Sequence, residues 1–259
     1  MHERYCTRAA YFAEQAAVSE RYILPSVAGS LQGRGRLRVL EVGCGGGGSL
    51  KPFLDRGCEV LGLDLARYQV ECARHFFAGH RHQANLTLLC GSVYDLDPTQ
   101  TAPFDLIILR DKLEVVANQQ VLLQRLRQLL APSGTLFVSI ASWRKPFEEH
   151  RQRCCSALRW VPVVHLLPGQ LYRRLLRWAG ESTACIEALM QARSQRLCFQ
   201  RFLGWIRRMN YQVVRSDFYL HNPQRQVRFG LAANPLRWGG IPFLRDYICS
   251  TCYCVLAAR

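Results

Sequence analysis

The sequence predicts an α/β protein built on a doubly wound, mostly parallel β-sheet. Three observations lead to this prediction. Short strands alternate with helical segments over residues 36–140, these strands are almost entirely apolar, and the first strand runs directly into a glycine-rich turn. Strands that alternate with helices of this length form parallel βαβ units, and continuously apolar strands belong to a sheet that is covered on both faces. A chain of 259 residues is long enough for one such domain.

The predicted elements follow one another in a regular order. Residues 5–23 have the pattern of an amphipathic helix that ends before Pro25. Gly57 and Gly79 then act as stop signals for the two helices that follow the first and second strands. We predict strands at 37–42, 59–65, 86–92, 104–109 and 135–140, separated by helices at 50–57, 66–79 and 118–130.

The regular alternation ends at Ala141. Residues 141–210 are helical in pattern, apolar and rich in arginine, so we predict a helical cap inserted between the fifth and sixth strands. Strands predicted at 211–220 and 246–258 complete the sheet. These boundaries describe one domain with an insertion rather than two separate domains.

The charge of the chain indicates which kinds of molecule it could bind. The formal net charge is +15, and nearly all of the basic residues are arginines that are scattered without a block of like charge. This distribution argues against nucleic acid as a partner, whereas the arginine-rich cap helices leave room for contact with an anionic membrane surface. No apolar run has the length of a membrane span and the first thirty residues lack a signal-peptide core, so we expect a cytoplasmic protein. No obligate protein partner is evident.

The chain contains twelve cysteines, which we expect to be reduced thiols. Cys249 and Cys252 form a C-x-x-C pair near the end of the chain, but a second pair at zinc-site spacing is missing. Cys154 and Cys155 are adjacent and add no recognisable metal-binding pattern. We therefore predict no metal site.

The glycine-rich turn points to a ligand that approaches the backbone closely. Gly43, Gly45 and Gly47 follow Glu41 in the pattern E-x-G-x-G-x-G, and Gly48 in place of Gly47 gives the dinucleotide pattern G-x-G-x-x-G. A tight strand-to-helix turn with no ligand is the structural alternative. Glu41 favours a ligand with an ammonium group over a dinucleotide. Its carboxylate beside the first glycine would repel a pyrophosphate and would suit an ammonium group.

At this point the sequence resembles the class I S-adenosylmethionine-dependent methyltransferases, whose first motif is an acid followed by G-x-G-x-G. The resemblance implies a Rossmann-like fold with an antiparallel seventh strand, for which "DYICSTCYCVLAA" fits. It implies S-adenosylmethionine as cofactor, with Glu41 near its aminoacyl end and Gly43, Gly45 and Gly47 beneath it. Asp64, followed by Leu65, ends the second strand, where a carboxylate accepts the ribose hydroxyls. An Asp that merely caps the next helix is the alternative.

Two further markers match the family less closely. Ser92 and Val93 stand where the family usually has an acidic or polar residue that holds the adenine amino group, with Asp95 as a substitute. After the fourth strand, Arg110 and Asp111 would line the methionine side of the cofactor, and Val115 stands where the family commonly has histidine. The N-terminal helix, which includes Tyr22, resembles a helix that closes over the cofactor.

The resemblance therefore divides the single domain into four parts. They are a helical lid at 1–30, a cofactor-binding core at 36–140, the cap at 141–210 and the C-terminal strands at 211–259. A general base, where one is needed, is expected just after the fifth strand. His150 and Glu149 are the candidates, although the same residues suit the start of a surface helix. His165 is more typical of a packed histidine.

The expected activity is transfer of the sulfonium methyl to an O, N or C nucleophile of a small or lipophilic molecule. The aromatic residues of the cap either line an apolar pocket for that molecule or form the core of the cap itself; they are Trp143, Trp160, Trp178, Phe199, Phe202 and Trp205. The alternatives are a catalytically silent adenosylmethionine-binding protein of the same fold and an NAD-dependent oxidoreductase.

Overall fold

A computed structural model describes residues 7–144, 154–195, 197–230, 235–236 and 242–258. These residues form a seven-stranded sheet in the order β3-β2-β1-β4-β5-β7-β6. The strands are β1 Arg38–Val42, β2 Glu59–Asp64, β3 Leu86–Cys90, β4 Phe104–Arg110, β5 Leu130–Ile140, β6 Tyr211–Tyr219 and β7 Thr251–Ala258. The doubly wound α/β fold predicted from the sequence is confirmed.

The first five strands are parallel and the last strand is antiparallel, as predicted. β7 lies between β5 and β6 and pairs with both in antiparallel register. Its Tyr253 therefore stands opposite Ser139 on one side and Asp217 on the other. The strand order reverses between β1 and β4, and ligands of such sheets bind outside the carboxyl ends of the strands at this point.

Helices cover both faces of the sheet. They are α1 Arg8–Val18, α2 Leu24–Val27, α3 Lys51–Asp55, α4 Arg67–Phe76, α5 Gln119–Leu129, α6 Gly169–Trp178, α7 Thr183–Gln195, α8 Phe199–Arg208, α9 Pro223–Phe229 and α10 Pro242–Ile248. The N-terminal segment, α3 and α4 bury one face, with Ile23, Phe53 and Val70 in a shared core. Buried residues of α5 and α8 pack on the other face. Within the described ranges, no helix is long and apolar enough to span a lipid bilayer.

Two boundaries differ from the sequence prediction. The strand predicted at 246–258 is shorter, because residues 242–248 form α10 and β7 begins at Thr251. Asp246 of α10 is fully buried, and its carboxylate accepts the Phe199 amide at the start of α8 (2.7 Å), which joins the two helices. β5 begins at Leu130 rather than at Thr135, and its pairing with β4 is irregular between Phe104 and Leu106.

The predicted cap consists of two parts that pack differently. Residues 154–195 form a small core of their own, made of Cys154, Val164, Tyr172, Leu176, Ile186 and Leu189. α8 instead buries Phe199, Phe202 and Trp205 in the main core beside the sheet, whereas Trp160 and Trp178 are exposed. These aromatic side chains therefore do not line one pocket. A covering role for residues 154–195 stays a prediction.

Candidate functional site

A row of polar side chains crosses the carboxyl ends of β2, β1, β4 and β5 and the adjacent amino end of β7 on one face of the sheet. Glu41 pairs in register with Gly62 on β2 and with Ile108 on β4, and side chains two residues apart on a strand share a face. Asp64, Glu41 and Arg110 therefore point to the same side. Arg110 pairs with Ser139, which pairs with Tyr253, so the row continues across β5 and β7. It lies on the face that the N-terminal helices cover.

The glycine-rich turn forms the floor beside this row. Gly43, Gly45 and Gly47 all have positive φ angles (75°, 55° and 82°), which favour glycine. A Cβ at Gly47 would lie 2.8 Å from the Phe77 ring, and one at Gly48 would collide with the Phe12 carbonyl. A Cβ at Gly45 would meet no described atom within 4 Å. Packing thus accounts for Gly47 and Gly48, whereas Gly45 borders open space that a ligand can occupy.

Asp64 connects the glycine-rich turn to the start of α4. One carboxylate oxygen accepts the Gly45 amide (2.8 Å) and the other accepts the Ala66 amide (2.9 Å). Asp64 is buried, but the next side chain, Leu65, is 76% exposed. The two amides orient the carboxylate at the edge of the open space, with an apolar surface beside it.

Glu41 is a buried acid with incomplete hydrogen bonding. It is 3% exposed, and its Oε2 atom has no hydrogen-bond partner among the described residues. Burial raises the pKa of Glu41 to about 7, although the nearby Arg110 guanidinium and Ser49 hydroxyl oppose this shift. A buried acceptor without a partner costs free energy, so a ligand that brings a cationic donor to Oε2 would be stabilised here.

Two basic side chains flank Glu41. Arg110 is 8% exposed, and burial works to lower its pKa, but the Glu41 and Asp111 carboxylates more than offset that effect. Lys112 lies against the turn, because a Cβ at Gly43 would collide with its side chain. Lys112 belongs to no motif that marks it in the sequence. A carboxylate beside two cationic side chains can bind a zwitterionic amino acid. The carboxylate attracts its ammonium group, and the cations attract its carboxylate.

Asp111, Ser139 and Tyr253 form the wall next to Arg110. Asp111 has a φ angle of 52°, which is uncommon for a residue other than glycine. Its amide donates to Ser139 Oγ (2.9 Å), and Ser139 Oγ donates to its carboxylate (2.6 Å). Burial, together with Asp111, raises the pKa of Tyr253. The sequence analysis missed Ser139 and Tyr253, because only the insertion of β7 beside β5 brings them together.

The N-terminal segment lies over the turn. A π-helical turn, Ser19–Ile23, follows α1, and Ser19 Oγ donates to the Ser49 carbonyl (2.8 Å). The half-buried Tyr22 belongs to this turn, and its ring makes an edge contact with Tyr219 (6.1 Å between centroids). Tyr219 in turn contacts Tyr253 (5.3 Å). Tyr22 therefore reaches the same end of the sheet as the polar row and borders a cleft of about 360 Å³.

The remaining predicted residues are placed less favourably or are not described. The Ser92 hydroxyl accepts the Tyr94 amide (3.3 Å) within a local turn, and Val93 is buried in the main core. Their contact with adenine stays a prediction. Glu149 and His150 lie outside the described residues. His165 is buried against Trp143, with Nε2 2.9 Å from the Trp143 carbonyl oxygen, as a packed histidine would be.

Comparison with known proteins supports the same family. Residues 40–138, from β1 to β5, match the family model described as "Methyltransferase domain". Over these residues the match agrees with the resemblance to the class I S-adenosylmethionine-dependent methyltransferases. Among curated relatives, the ubiquinone biosynthesis O-methyltransferase of Bradyrhizobium diazoefficiens is 32% identical over 135 residues, which cover 51% of each chain. That of Xanthomonas oryzae pv. oryzae is 35% identical over 102 residues, which cover 39% of this chain and 42% of the relative. The chain spans about half the length of the first of these relatives and less of the second.

Solved structures show the same fold at low sequence identity. The plantazolicin methyltransferase BpumL, in complex with a triazolic desmethylPZN analog and SAH, is 10% identical with a TM-score of 0.55. The match covers 96% of this chain and 85% of BpumL. PKMT2 from Rickettsia typhi, in complex with AdoHcy, is 18% identical with a TM-score of 0.54, and the match covers 93% of this chain and 55% of PKMT2. This chain thus shares the fold of these two proteins.

Proposed function

We propose that the protein is an S-adenosylmethionine-dependent methyltransferase that acts on an oxygen nucleophile of a small, lipophilic molecule. The open space beside Gly45 is the observation that carries the proposal. It is bordered by Asp64, whose carboxylate accepts the Gly45 amide, and the buried Glu41 with its unpartnered Oε2 lies on the neighbouring strand β1. A ligand with a ribose at one end and an ammonium at the other fits this arrangement, whereas a pyrophosphate would meet the Glu41 carboxylate.

The residues of the site divide the binding of this cofactor among them. Asp64 would accept the ribose hydroxyls, and Leu65 would pack against the adenosine. Glu41 would accept the α-ammonium group, while Arg110 and Lys112 would neutralise the α-carboxylate. When bound, the cofactor supplies an activated sulfonium methyl. The protein then needs mainly to hold the acceptor in line, and positioning of this kind lowers a barrier by about 7–11 kcal/mol.

The chain also offers groups that could handle the proton of an acceptor hydroxyl. Asp111 is exposed at the end of β4 and is fixed by its two hydrogen bonds with Ser139. His150 and Glu149, proposed from the sequence, remain candidates for the general base. A base contributes about 10²–10⁴-fold in rate when the nucleophile must lose a proton.

The names of the curated relatives support the choice of acceptor. The Bradyrhizobium and Xanthomonas proteins are called ubiquinone biosynthesis O-methyltransferases, and we infer that a phenolic, quinone-like molecule suits this chain as well. The experiment is a screen of phenols that differ in the length of an apolar tail, with release of S-adenosylhomocysteine as the signal. Turnover with at least one phenol is expected. Cofactor binding without any turnover would favour a silent binding protein instead.

A lipophilic acceptor would be met most readily at a membrane surface, and we propose that the insertion touches one. Trp160, Val161 and Val163 are exposed in one short loop, and Trp178 of α6 is 84% exposed. The exposed arginines of α6 are Arg173, Arg174 and Arg177. The apolar side of α6, with Tyr172 and Leu176, is buried in the core of the insertion. The contact would therefore be made by the exposed aromatic and arginine side chains, which suit the headgroup region of an anionic bilayer.

A further inference from the structure

Three side chains with metal-binding atoms converge in the insertion, away from the polar row. We propose that Cys154, Glu181 and Cys185 bind a thiophilic divalent metal ion such as Zn²⁺. Their ligand atoms, two sulfurs and a carboxylate oxygen, all lie within 4.8 Å of one another. This proposal departs from the expectation of no metal site, which rested on the missing second C-x-x-C pair.

The three ligands come from separate elements of the small core in the insertion. Cys154 precedes the 3₁₀ turn at Ala157–Trp160, Glu181 follows α6, and Cys185 lies in the first turn of α7. Cys154 is 3% exposed and Glu181 is 9% exposed, whereas Cys185 is partly exposed. A metal ion at this point would join all three elements and would still be reachable from solvent on the Cys185 side.

The Glu181 carboxylate is already held in place by neighbouring donors. Its Oε1 atom accepts the Ser156 amide (2.8 Å) and the Ser156 hydroxyl (2.5 Å), and its Oε2 atom accepts the Cys155 amide (3.2 Å). A carboxylate oxygen can accept more than one bond, so Oε2 retains capacity for a metal ion. Hydrogen bonds behind a ligand orient it, and this arrangement is typical of metal-ligating carboxylates.

The chemistry of the donor set favours zinc over calcium or magnesium. Thiolates select soft or borderline metals, and Zn²⁺ binds Cys and carboxylate ligands in a tetrahedron. Binding releases the two thiol protons, which leaves a set of three negative charges around the divalent ion. Water or the exposed Cys155 thiol would complete the fourth position.

A metal ion at this site would have a structural role, because the core of the insertion is small. Six buried side chains form this core, and clusters of this size gain much from a metal ion that ties their elements together. The three ligands match no short zinc motif, since Cys154 stands 27 positions before Glu181. The spacing of these residues in the sequence therefore does not predict the site, and only the fold brings the three ligands together.

The test uses the full chain, freed of metal with a chelator and kept reduced. Co²⁺ added to this protein should bind one ion per chain and produce thiolate-to-cobalt charge-transfer absorption, and Zn²⁺ should then displace it. Cys185→Ser and Glu181→Gln should each weaken binding at least tenfold and remove or shift the absorption. Zn²⁺ should also raise the melting temperature of the wild type but not that of Cys185→Ser.

Cys72→Ser is the matched control, because Cys72 is a partly exposed cysteine on α4 outside this cluster. It should bind Co²⁺ like the wild type. Cys185→Ser and Glu181→Gln are preferred over Cys154→Ser, since the buried Cys154 contributes to the core. The proposal is overturned by reduced wild-type protein that binds no Co²⁺ at micromolar concentration. It is equally overturned by Co²⁺ binding that survives both variants, or by cysteines that only form a Cys154–Cys185 disulfide and take up no metal after reduction.

Discussion

Glu41 shows at the scale of one residue how burial changes chemistry. In the folded protein the pKa of Glu41 is raised to about 7, whereas its ordinary value is 4.5. The unfolded chain thus releases this proton at lower pH, and the contribution of Glu41 to stability is present at low pH and lost as the pH rises between these values. We expect the free energy of unfolding of the ligand-free wild type to fall by about 3 kcal/mol, relative to Glu41→Gln, over this interval. Urea unfolding at several pH values measures it, and parallel curves for the two proteins would contradict the assignment.

Loss of the same proton as the pH rises should strengthen ligand binding, although it lowers the stability of the ligand-free protein. S-adenosylhomocysteine brings an ammonium group to Glu41, so binding favours the ionised carboxylate. Its affinity should increase with pH, by up to about tenfold per unit below pH 7, and should level off above. Calorimetry on the wild type and Glu41→Gln tests this, because the variant should bind more weakly and lose the pH dependence. A wild-type affinity that does not change between pH 5.5 and 7.5 would count against ammonium binding at Glu41.

Gly45 provides a second prediction for a single residue. Gly45→Ala should cost about 1–2 kcal/mol through its left-handed backbone and should also place a methyl group in the ligand space. Gly79 is a matched control, because it also has a positive φ and open surroundings but lies after α4. Both variants should lose similar stability, but only Gly45→Ala should bind S-adenosylhomocysteine at least tenfold more weakly. Equal binding by the two variants would mean that the space beside Gly45 is not the ligand site.

The N-terminal segment carries the prediction at the scale of an element. Gly48 allows α1 to approach the turn, since a Cβ there would collide with the Phe12 carbonyl and lie 2.8 Å from the Gln15 side chain. Gly48→Ala should displace α1 while leaving the sheet folded. Hydrogen exchange in residues 8–18 should accelerate and ligand affinity should fall. Gly35→Ala, where a Cβ meets nothing within 4 Å, should leave both unchanged. Unchanged exchange in Gly48→Ala would show that α1 does not depend on this contact.

Local patterns were sufficient to predict the parallel strands and the glycine-rich turn. β1, β2 and β4 are apolar, short and followed by helices, so their carboxyl ends and the positions of Glu41 and Asp64 could be predicted. These local patterns could not predict features that depend on tertiary contacts. The buried Asp246 joins α10 to the amide at the start of α8, and Ser139 meets Tyr253 only because β7 pairs with β5. The helical pattern of 141–210 likewise could not tell α8, which packs on the sheet, from the separate core of the insertion.

At the scale of the whole molecule, the exposed surface of the insertion predicts association with anionic membranes. The wild type should sediment with vesicles that contain phosphatidylglycerol and not with pure phosphatidylcholine vesicles, and salt should weaken the association. Trp178→Ser should reduce binding several-fold. Phe229→Ser, which removes an exposed aromatic ring from α9, should not. Equal loss in the two variants, or binding that ignores lipid charge, would contradict the proposed surface.

Direct titration of the whole protein with S-adenosylhomocysteine tests the central claim most directly. The wild type should bind one molecule per chain, with no detectable heat from NADH at the same concentration. Asp64→Ala removes the proposed ribose acceptor and should weaken binding at least tenfold, which corresponds to about 1.4 kcal/mol. Binding of NADH in place of S-adenosylhomocysteine, or wild-type affinity in Asp64→Ala, would contradict the assignment of this sheet edge as the cofactor site.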